Sequence, residues 1–88
     1  MTEGEVTPSA AVDMVALGTL LASDHGRRAL WRVLSFAGIM QMSFVPGDPT
    51  RTAFNEGRRS VGLELYAALL GVNKHAVQLM TTENMELP

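Results

Sequence analysis

The stretch TRTAFNEGRRSVGLELYAALL, residues 50–70, decides the fold class of this chain. Phe54, Val61 and Leu65 recur at the intervals that place side chains on one face of an α-helix. In the second half of the stretch, Leu63 and Leu70 flank that face and widen its apolar arc, which is typical of a central helix. The stretch therefore predicts the longest helix of an all-α protein, with these apolar side chains facing the core.

Shorter helical patterns lie on both sides of this stretch, each bounded by residues that favour helix ends. Side-chain oxygens of Ser, Asp, Asn and Thr cap helix N-termini, and glycine favours the left-handed turn after a helix. The predicted helices span residues 11–22, 26–37, 50–70 and 74–80. The expected capping residues are Ser23 or Asp24, Gly38, Asp48 or Thr50, and Asn73.

The chain divides into one helical domain and two arms. Residues 1–11 are small, polar or acidic and predict a flexible N-terminal arm, and residues 81–88 predict a flexible, acidic C-terminal tail. Between them, residues 12–80 predict a single helical domain, because 88 residues leave no room for two cores. The expected fold class is all-α, a compact bundle of three to four short helices.

Composition limits how this small domain is held together. A chain of 88 residues buries a smaller share of its surface than a larger protein, yet 47% of its residues are hydrophobic. There is no cysteine, which excludes disulfides and thiolate metal sites. We therefore expect part of the apolar surface to meet a partner.

The segment after the second predicted helix changes character. Met40, Met42 and Phe44 alternate with less apolar residues, and Pro46 opens a turn. A single extended segment has no sheet partner here, so we expect an ordered loop whose apolar side chains lie on the helices. Apolar residues left over by the helices predict an interface with a neighbouring subunit at Met40, Met42, Phe44, Met85 and Leu87.

Two glycines stand inside the long predicted helix. A glycine within a helix costs about 1 kcal/mol relative to alanine, so Gly57 and Gly62 need a reason to lack a side chain. Close helix packing supplies one, because small residues let backbones approach. Gly18 has the same setting in the first helix, so we expect helices one and three to cross tightly at Gly18 and Gly57.

Arginines concentrate in the middle of the chain. The region from residue 24 to residue 59 holds six arginines against three acidic residues, whereas the rest of the chain is net acidic. The first interpretation is internal ion pairing, in which Glu56 meets Arg59 or, across antiparallel helices, Arg27 or Arg28. The second is binding of Arg27, Arg28, Arg58 and Arg59 to acidic surfaces of neighbouring subunits. Direct contact with nucleic-acid phosphates is the third, weakened by the net charge of −2.

The sequence offers no candidate catalytic, cofactor-binding or metal-ligating residues. His25 and His75 lie far apart and lack the spacing of metal ligands. No serine has the context of an activated nucleophile, and Gly57 to Gly62 is helical rather than a phosphate-binding loop. We therefore expect a non-enzymatic protein without a cofactor. Neither a signal peptide nor a membrane-spanning segment is predicted.

Three sequence segments carry a resemblance to a known family: GRRALWRVL at residues 26–34, SF at residues 43–44 and TAFNEGRRSVGL at residues 52–63. Through them the chain, over residues 13–80, resembles a family of small tailed-phage proteins. These are encoded in the structural gene clusters of short-tailed phages, near the portal and capsid genes, and one member comes from a Bordetella phage. The resemblance brings no catalytic residues with it.

The resemblance implies a component of the phage particle or of its assembly. We expect a structural protein in many copies at the portal, the head-to-tail junction or the tail lumen, or one that leaves with the genome. Its partners would be portal, tail or capsid subunits and further copies of itself, in a particle assembled in the host cytoplasm. The alternatives are a small DNA-binding or regulatory protein that places arginines on phosphates, and a scaffold or assembly factor absent from mature particles. Insertion into the host envelope is a further alternative, although we expect no stable membrane insertion.

Overall fold

The computed structural model describes residues 13–85, which form four helices and no strand. Helix α1 covers residues 13–21, α2 is Asp24–Ala37, α3 is Pro49–Val72 and α4 is Lys74–Met85. This confirms the all-α prediction. The predicted N-terminal arm and the end of the predicted tail, including Leu87, lie outside the described residues.

Local sequence determines where the helices begin and end. The Ser23 side chain caps α2 by accepting from the Gly26 amide at 3.0 Å, and Asp48 caps α3 in the same way, followed by Pro49 in the first turn. The Asn73 side chain accepts from the Ala76 amide at 3.0 Å. Gly38 closes α2 with φ 77°, a left-handed conformation that favours glycine. Each of these caps is one that the sequence predicts.

Helix α4 is longer than predicted. It continues to Met85, so residues 81–85 belong to a helix rather than to an acidic tail. The reason is tertiary contact: Glu83 receives hydrogen bonds from Arg27, and buried Asn84 receives one from Arg28. The periodicity of the segment itself carries no sign of these partners.

The core is small and lies where α2 meets α3 and α4. Helix α2 packs against both of these helices, and α3 also packs against α4. These three helices enclose few positions. The buried apolar side chains are Leu21, Leu30, Leu34, Ile39, Leu69, Val77 and Met80.

Helix α3 faces the core with only part of the side that its apolar pattern predicts, since Leu65 packs against the core. Phe54 and Val61 are 66% and 69% exposed, so their placement in the core is wrong. The buried positions of α3 are Gly62 and Leu69. Gly62 is buried, and not one of the larger residues, because the end of α2 and the residue after the C-cap of α2 lie very close to the α3 backbone. A Cβ at Gly62 would lie 2.4 Å from the Ala37 Cβ.

The segment between α2 and α3 is an ordered loop held by polar contacts. The Val45 amide donates to Thr52 Oγ1 at 2.8 Å, and Asn55 Nδ2 donates to the Ser43 carbonyl at 3.2 Å. Of its apolar side chains, Ile39 is buried in the core as expected, whereas three others do not lie on the helices. Met40, Met42 and Phe44 are 59%, 84% and 61% exposed, because hydrogen bonds to α3 rather than apolar burial fix the loop.

Candidate functional site

The four arginines of the two Gly-Arg-Arg motifs have separate surroundings. Arg27 and Arg28, at the start of α2, turn toward α4 and hydrogen bond to it. Arg58 and Arg59, on α3, line a polar pocket beside the loop that follows α2. The first pair therefore joins elements of the fold, whereas the second pair forms part of the wall of a pocket.

Arg27 binds two elements at once. Its Nε and Nη2 atoms donate to the two carboxylate oxygens of Glu83, each at 2.9 Å, and its Nη1 donates to the Leu21 carbonyl at 2.9 Å. Two parallel hydrogen bonds are the favoured geometry between a guanidinium and a carboxylate. They raise the pKa of Arg27 above its ordinary value and lower the pKa of Glu83 below its own. This contact joins the end of α1, the start of α2 and the end of α4.

Arg28 makes the second contact with α4. Its Nη1 donates to Asn84 Oδ1 at 2.9 Å, and Asn84 Nδ2 donates to the Met80 carbonyl at 2.8 Å. Asn84 is the buried polar residue of the described chain, and these two bonds satisfy both ends of its amide. Neither Glu83 nor Asn84 was a candidate from the sequence, since nothing local links residues 56 positions apart.

The predicted pairing of Glu56 with an arginine is wrong. Glu56 accepts a hydrogen bond from the Ser43 hydroxyl, so its carboxylate is turned toward the loop. The ion pair of the described residues is Arg27 with Glu83. Glu56 and Arg59 are three positions apart on one helix, which is within side-chain reach. The Glu56 carboxylate nevertheless binds the Ser43 hydroxyl of the loop and not Arg59.

Arg58 and Arg59 lack an acidic partner among residues 13–85. The Arg58 guanidinium carbon lies 5.7 Å from the centre of the Phe54 ring, and its Nη2 is 3.5 Å from Asn55 Oδ1. Arg59 Nε is buried without a hydrogen-bond partner in the same part of the chain. A buried donor left unpaired costs about 1–3 kcal/mol.

The polar pocket has a volume of about 40 Å³. Its walls come from the end of α2, the loop and α3, and most of the lining surface is polar. No acidic side chain is among its lining residues, so the arginines give it a positive charge. It is lined by Ala37, Gly38, Gln41, Met42, Ser43, Asn55, Arg58 and Arg59.

An apolar groove adjoins the polar pocket. It has a volume of about 210 Å³ and runs between α2, the loop and the end of α4. Gln41 lines both the groove and the pocket, so the two are neighbours. The sequence-predicted interface residues Met40 and Met85 lie in the groove, Met42 lies at the pocket, and Phe44 is exposed further along the loop. The groove is lined by Trp31, Leu34, Ser35, Ile39, Met40, Gln41 and Met85.

The glycines predicted to serve helix packing separate as well. A Cβ at Gly57 would meet nothing within 4 Å, so the predicted crossing of α1 and α3 at Gly57 is wrong. Gly18 instead lies near the end of α3, where a Cβ would be in ordinary contact with Val72 Cγ1 at 3.5 Å. The closest approach is at Gly26, for which no packing role is predicted from the sequence. A Cβ there would lie 2.0 Å from the Leu20 carbonyl oxygen.

Residues 13–85 hold neither a metal-binding cluster nor a membrane-spanning helix. No group of three or more His, Asp or Glu side chains is close enough to hold a metal ion in that part of the chain. None of its helices has both the length and the apolar character needed to cross a bilayer.

Comparison with known proteins gives one match. The sequence model of the family described as Bbp19-like phage protein matches residues 18–80, which include all of α2 and α3 and both Gly-Arg-Arg motifs. No curated protein and no solved structure matches the chain significantly. Because the match covers most of the sequence, the chain belongs to the Bbp19-like phage protein family.

Proposed function

We propose that this chain is a non-enzymatic structural protein of a short-tailed phage particle. It acts in many copies at the portal, the head-to-tail region or the tail lumen, with portal, tail or capsid subunits and further copies of itself as partners. Family membership supports a phage protein, and the surface supports a role in assembly. The particle is assembled in the host cytoplasm.

The observation that carries this proposal is the imbalance between buried and exposed apolar residues. Seven apolar side chains are buried among the described residues, whereas fourteen large ones are exposed. Single exposed apolar residues are normal on a protein surface, but a contiguous group marks an interaction site. Met40, Met42 and Phe44 bring three exposed apolar side chains together within five residues of one short loop, and Met42 lines the pocket with the arginines of α3.

The arrangement suits a subunit that neighbours hold in place. Apolar contact at the loop supplies the association energy, because removing such side chains from water is favourable. Arg58 and Arg59 supply orientation, because charged groups at an interface fix register and exclude wrong partners. Arg27 and Arg28 are not part of this surface, since α4 already occupies them.

The direct test is the composition of the purified particle. Mass spectrometry of purified virions should detect the protein in many copies, and cryo-electron microscopy should show helical density of this size at the portal or tail. A particle lacking the gene product should assemble heads that fail at the head-to-tail step. Absence of the protein from mature virions would replace the structural role with that of a scaffold or assembly factor.

A second candidate function, DNA binding, has one observation in its favour. Arg51, Arg58 and Arg59 lie on α3 without an acidic partner in the part of the chain described. Binding through several phosphates weakens steeply as salt rises, so the affinity for duplex DNA between 50 and 200 mM salt is diagnostic. We expect no measurable duplex binding at low salt, because Arg27 and Arg28 are engaged and the chain is net acidic.

A further inference from the structure

We infer that the polar pocket beside Arg58 and Arg59 receives one carboxylate of a partner protein, whose adjoining apolar side chain fills the apolar groove. The inference adds the chemistry of the partner to the proposed function. It rests on that function in one respect, namely that the partner is another protein. The observation behind it is that the polar pocket and the apolar groove share a wall at Gln41.

The pocket has the charge and the size for a single carboxylate. Arg58 and Arg59 line it, and no acidic residue does. Its volume of about 40 Å³ exceeds the roughly 10–15 Å³ that a cavity needs to hold one water molecule, so it admits one small polar group. Glu56, the acid nearest in sequence, accepts from Ser43 and makes no ion pair with Arg58 or Arg59.

The pocket also has unused donors. Arg59 Nε is buried and has no acceptor among residues 13–85, and the Arg58 contact with Asn55 is long at 3.5 Å. A guanidinium presents its N–H groups as a planar fork that matches the two oxygens of a carboxylate, as Arg27 and Glu83 show elsewhere in this molecule. A bound carboxylate would accept from the N–H groups with which Arg58 and Arg59 line the pocket.

The apolar groove makes a protein segment the better occupant than a nucleic acid. The groove is several times larger than the pocket and is lined by Trp31, Leu34 and Met40, which suit an aliphatic or aromatic side chain. A duplex presents a row of phosphates and needs a continuous basic surface, whereas Arg27 and Arg28 are held by α4. An acidic residue next to an apolar one satisfies both halves of the site.

The experiment uses the full chain, labelled with ¹⁵N, and four small probes. Acetate carries the carboxylate alone, 4-methylpentanoate adds a branched apolar group, 4-methylpentanamide lacks the charge, and inorganic phosphate stands for the other source of anions. Each is titrated at constant ionic strength while the Nε–H signals of the arginines and the side-chain amide of Gln41 are followed by NMR. We expect 4-methylpentanoate to bind more tightly than acetate and to move the Arg59 and Gln41 signals.

Two variants separate specific binding from charge screening. Arg59→Gln should weaken binding of 4-methylpentanoate about tenfold, whereas Arg51→Gln, which removes an exposed arginine of the same helix outside the pocket, should leave it unchanged. If Arg59→Gln fails to fold, Gln41→Ala gives the same test through the shared wall. Equal losses in Arg59→Gln and Arg51→Gln would overturn the inference, as would tighter binding of phosphate than of either carboxylate.

A failure of this inference can be distinguished from a failure of the proposed function. Binding of the carboxylate probes by the isolated chain stands even if the protein is absent from mature virions, in which case an assembly partner supplies the carboxylate. Presence in the virion without any response of Arg59 to the carboxylate probes would leave the structural role and refute the pocket.

Discussion

The guanidinium of Arg27 and the carboxylate of Glu83 meet through two parallel hydrogen bonds of 2.9 Å, across 56 positions of sequence. This contact fixes the end of α4 to the start of α2 and, through the Leu21 carbonyl, to the end of α1. The two residues should therefore be energetically coupled. In a cycle of Arg27→Gln, Glu83→Gln and the double variant, we expect each single change to lower the urea midpoint and the double change to lower it by less than their sum.

The control for this cycle is Arg32→Gln. Arg32 lies on the same helix, and its guanidinium carbon is 5.7 Å from the Phe36 ring rather than on an acid. It should show no coupling to Glu83→Gln. Strict additivity of Arg27→Gln and Glu83→Gln would mean that the ion pair does not form in solution.

Acid should remove the contribution of this pair. Hydrogen bonds from Arg27 lower the pKa of Glu83 below its ordinary value of 4.5, so the folded state holds the ionised form more strongly than the unfolded state. The stabilisation is complete above the unfolded pKa and is lost as pH falls through the folded pKa. The difference in unfolding free energy between the natural chain and Glu83→Gln should be positive at pH 7 and shrink toward zero below about pH 4. A difference that does not change with pH would contradict the assignment.

Gly26 is the position at which the fold least tolerates a side chain. A Cβ there would lie 2.0 Å from the Leu20 carbonyl oxygen, a backbone atom that cannot turn away. Gly26→Ala should therefore destabilise the chain by about 1–3 kcal/mol, even though alanine is the better helix former. Urea unfolding followed by circular dichroism measures this, and unchanged stability would show that α1 does not approach α2 so closely.

Gly57→Ala is the matched control for Gly26→Ala, and its expected effect on stability is the opposite. Gly57 also lies in a helix, but a Cβ there would meet nothing within 4 Å. Without a clash, the gain in helix propensity remains, so the substitution should stabilise the isolated chain by about 0.5–1 kcal/mol. The same unfolding measurement tests it. A loss of stability would restore the predicted helix crossing at Gly57.

Features that depend on contacts between residues close in sequence could be predicted, whereas features that depend on contacts between distant residues could not. The caps at Ser23, Gly38, Asp48 and Asn73 are predicted because a cap is a contact with the next few residues. All four helices and the all-α fold follow from the same local information. The end of α4 was not predicted, because it depends on contacts with α2 more than fifty positions away.

The orientation of α3 was predicted only in part, for a related reason. Its largest apolar residues gave a strong periodic pattern, but the face that contacts α2 contains Gly62, which contributes nothing to such a pattern. Hydrophobic periodicity does not detect a close approach of two backbones, and the sequence indicates it only through a glycine inside a helix, as at Gly62. The same limit applies to the candidate site. Arg58 and Arg59 were candidates from the sequence, whereas Gln41, the residue that joins pocket and groove, was not.

Exposed apolar residues of the loop should matter for assembly and not for folding. Met42 and Phe44 are 84% and 61% exposed, so Met42→Ser with Phe44→Ser should change the unfolding free energy by no more than about 0.5 kcal/mol. In the phage, the same double change should reduce the amount of protein per purified virion. Quantitative mass spectrometry of virions, normalised to the major capsid protein, gives that amount.

The control for the loop is Val15→Ser. Val15 is 71% exposed on α1, which meets the start of α2, whereas the loop follows the end of α2. Because it removes exposed apolar surface far from the proposed interface, it should leave incorporation unchanged. Equal losses of incorporation from Val15→Ser and from the loop change would place the decisive contact elsewhere. A loop variant that unfolds would show instead that Met42 and Phe44 support the fold, which their exposure argues against.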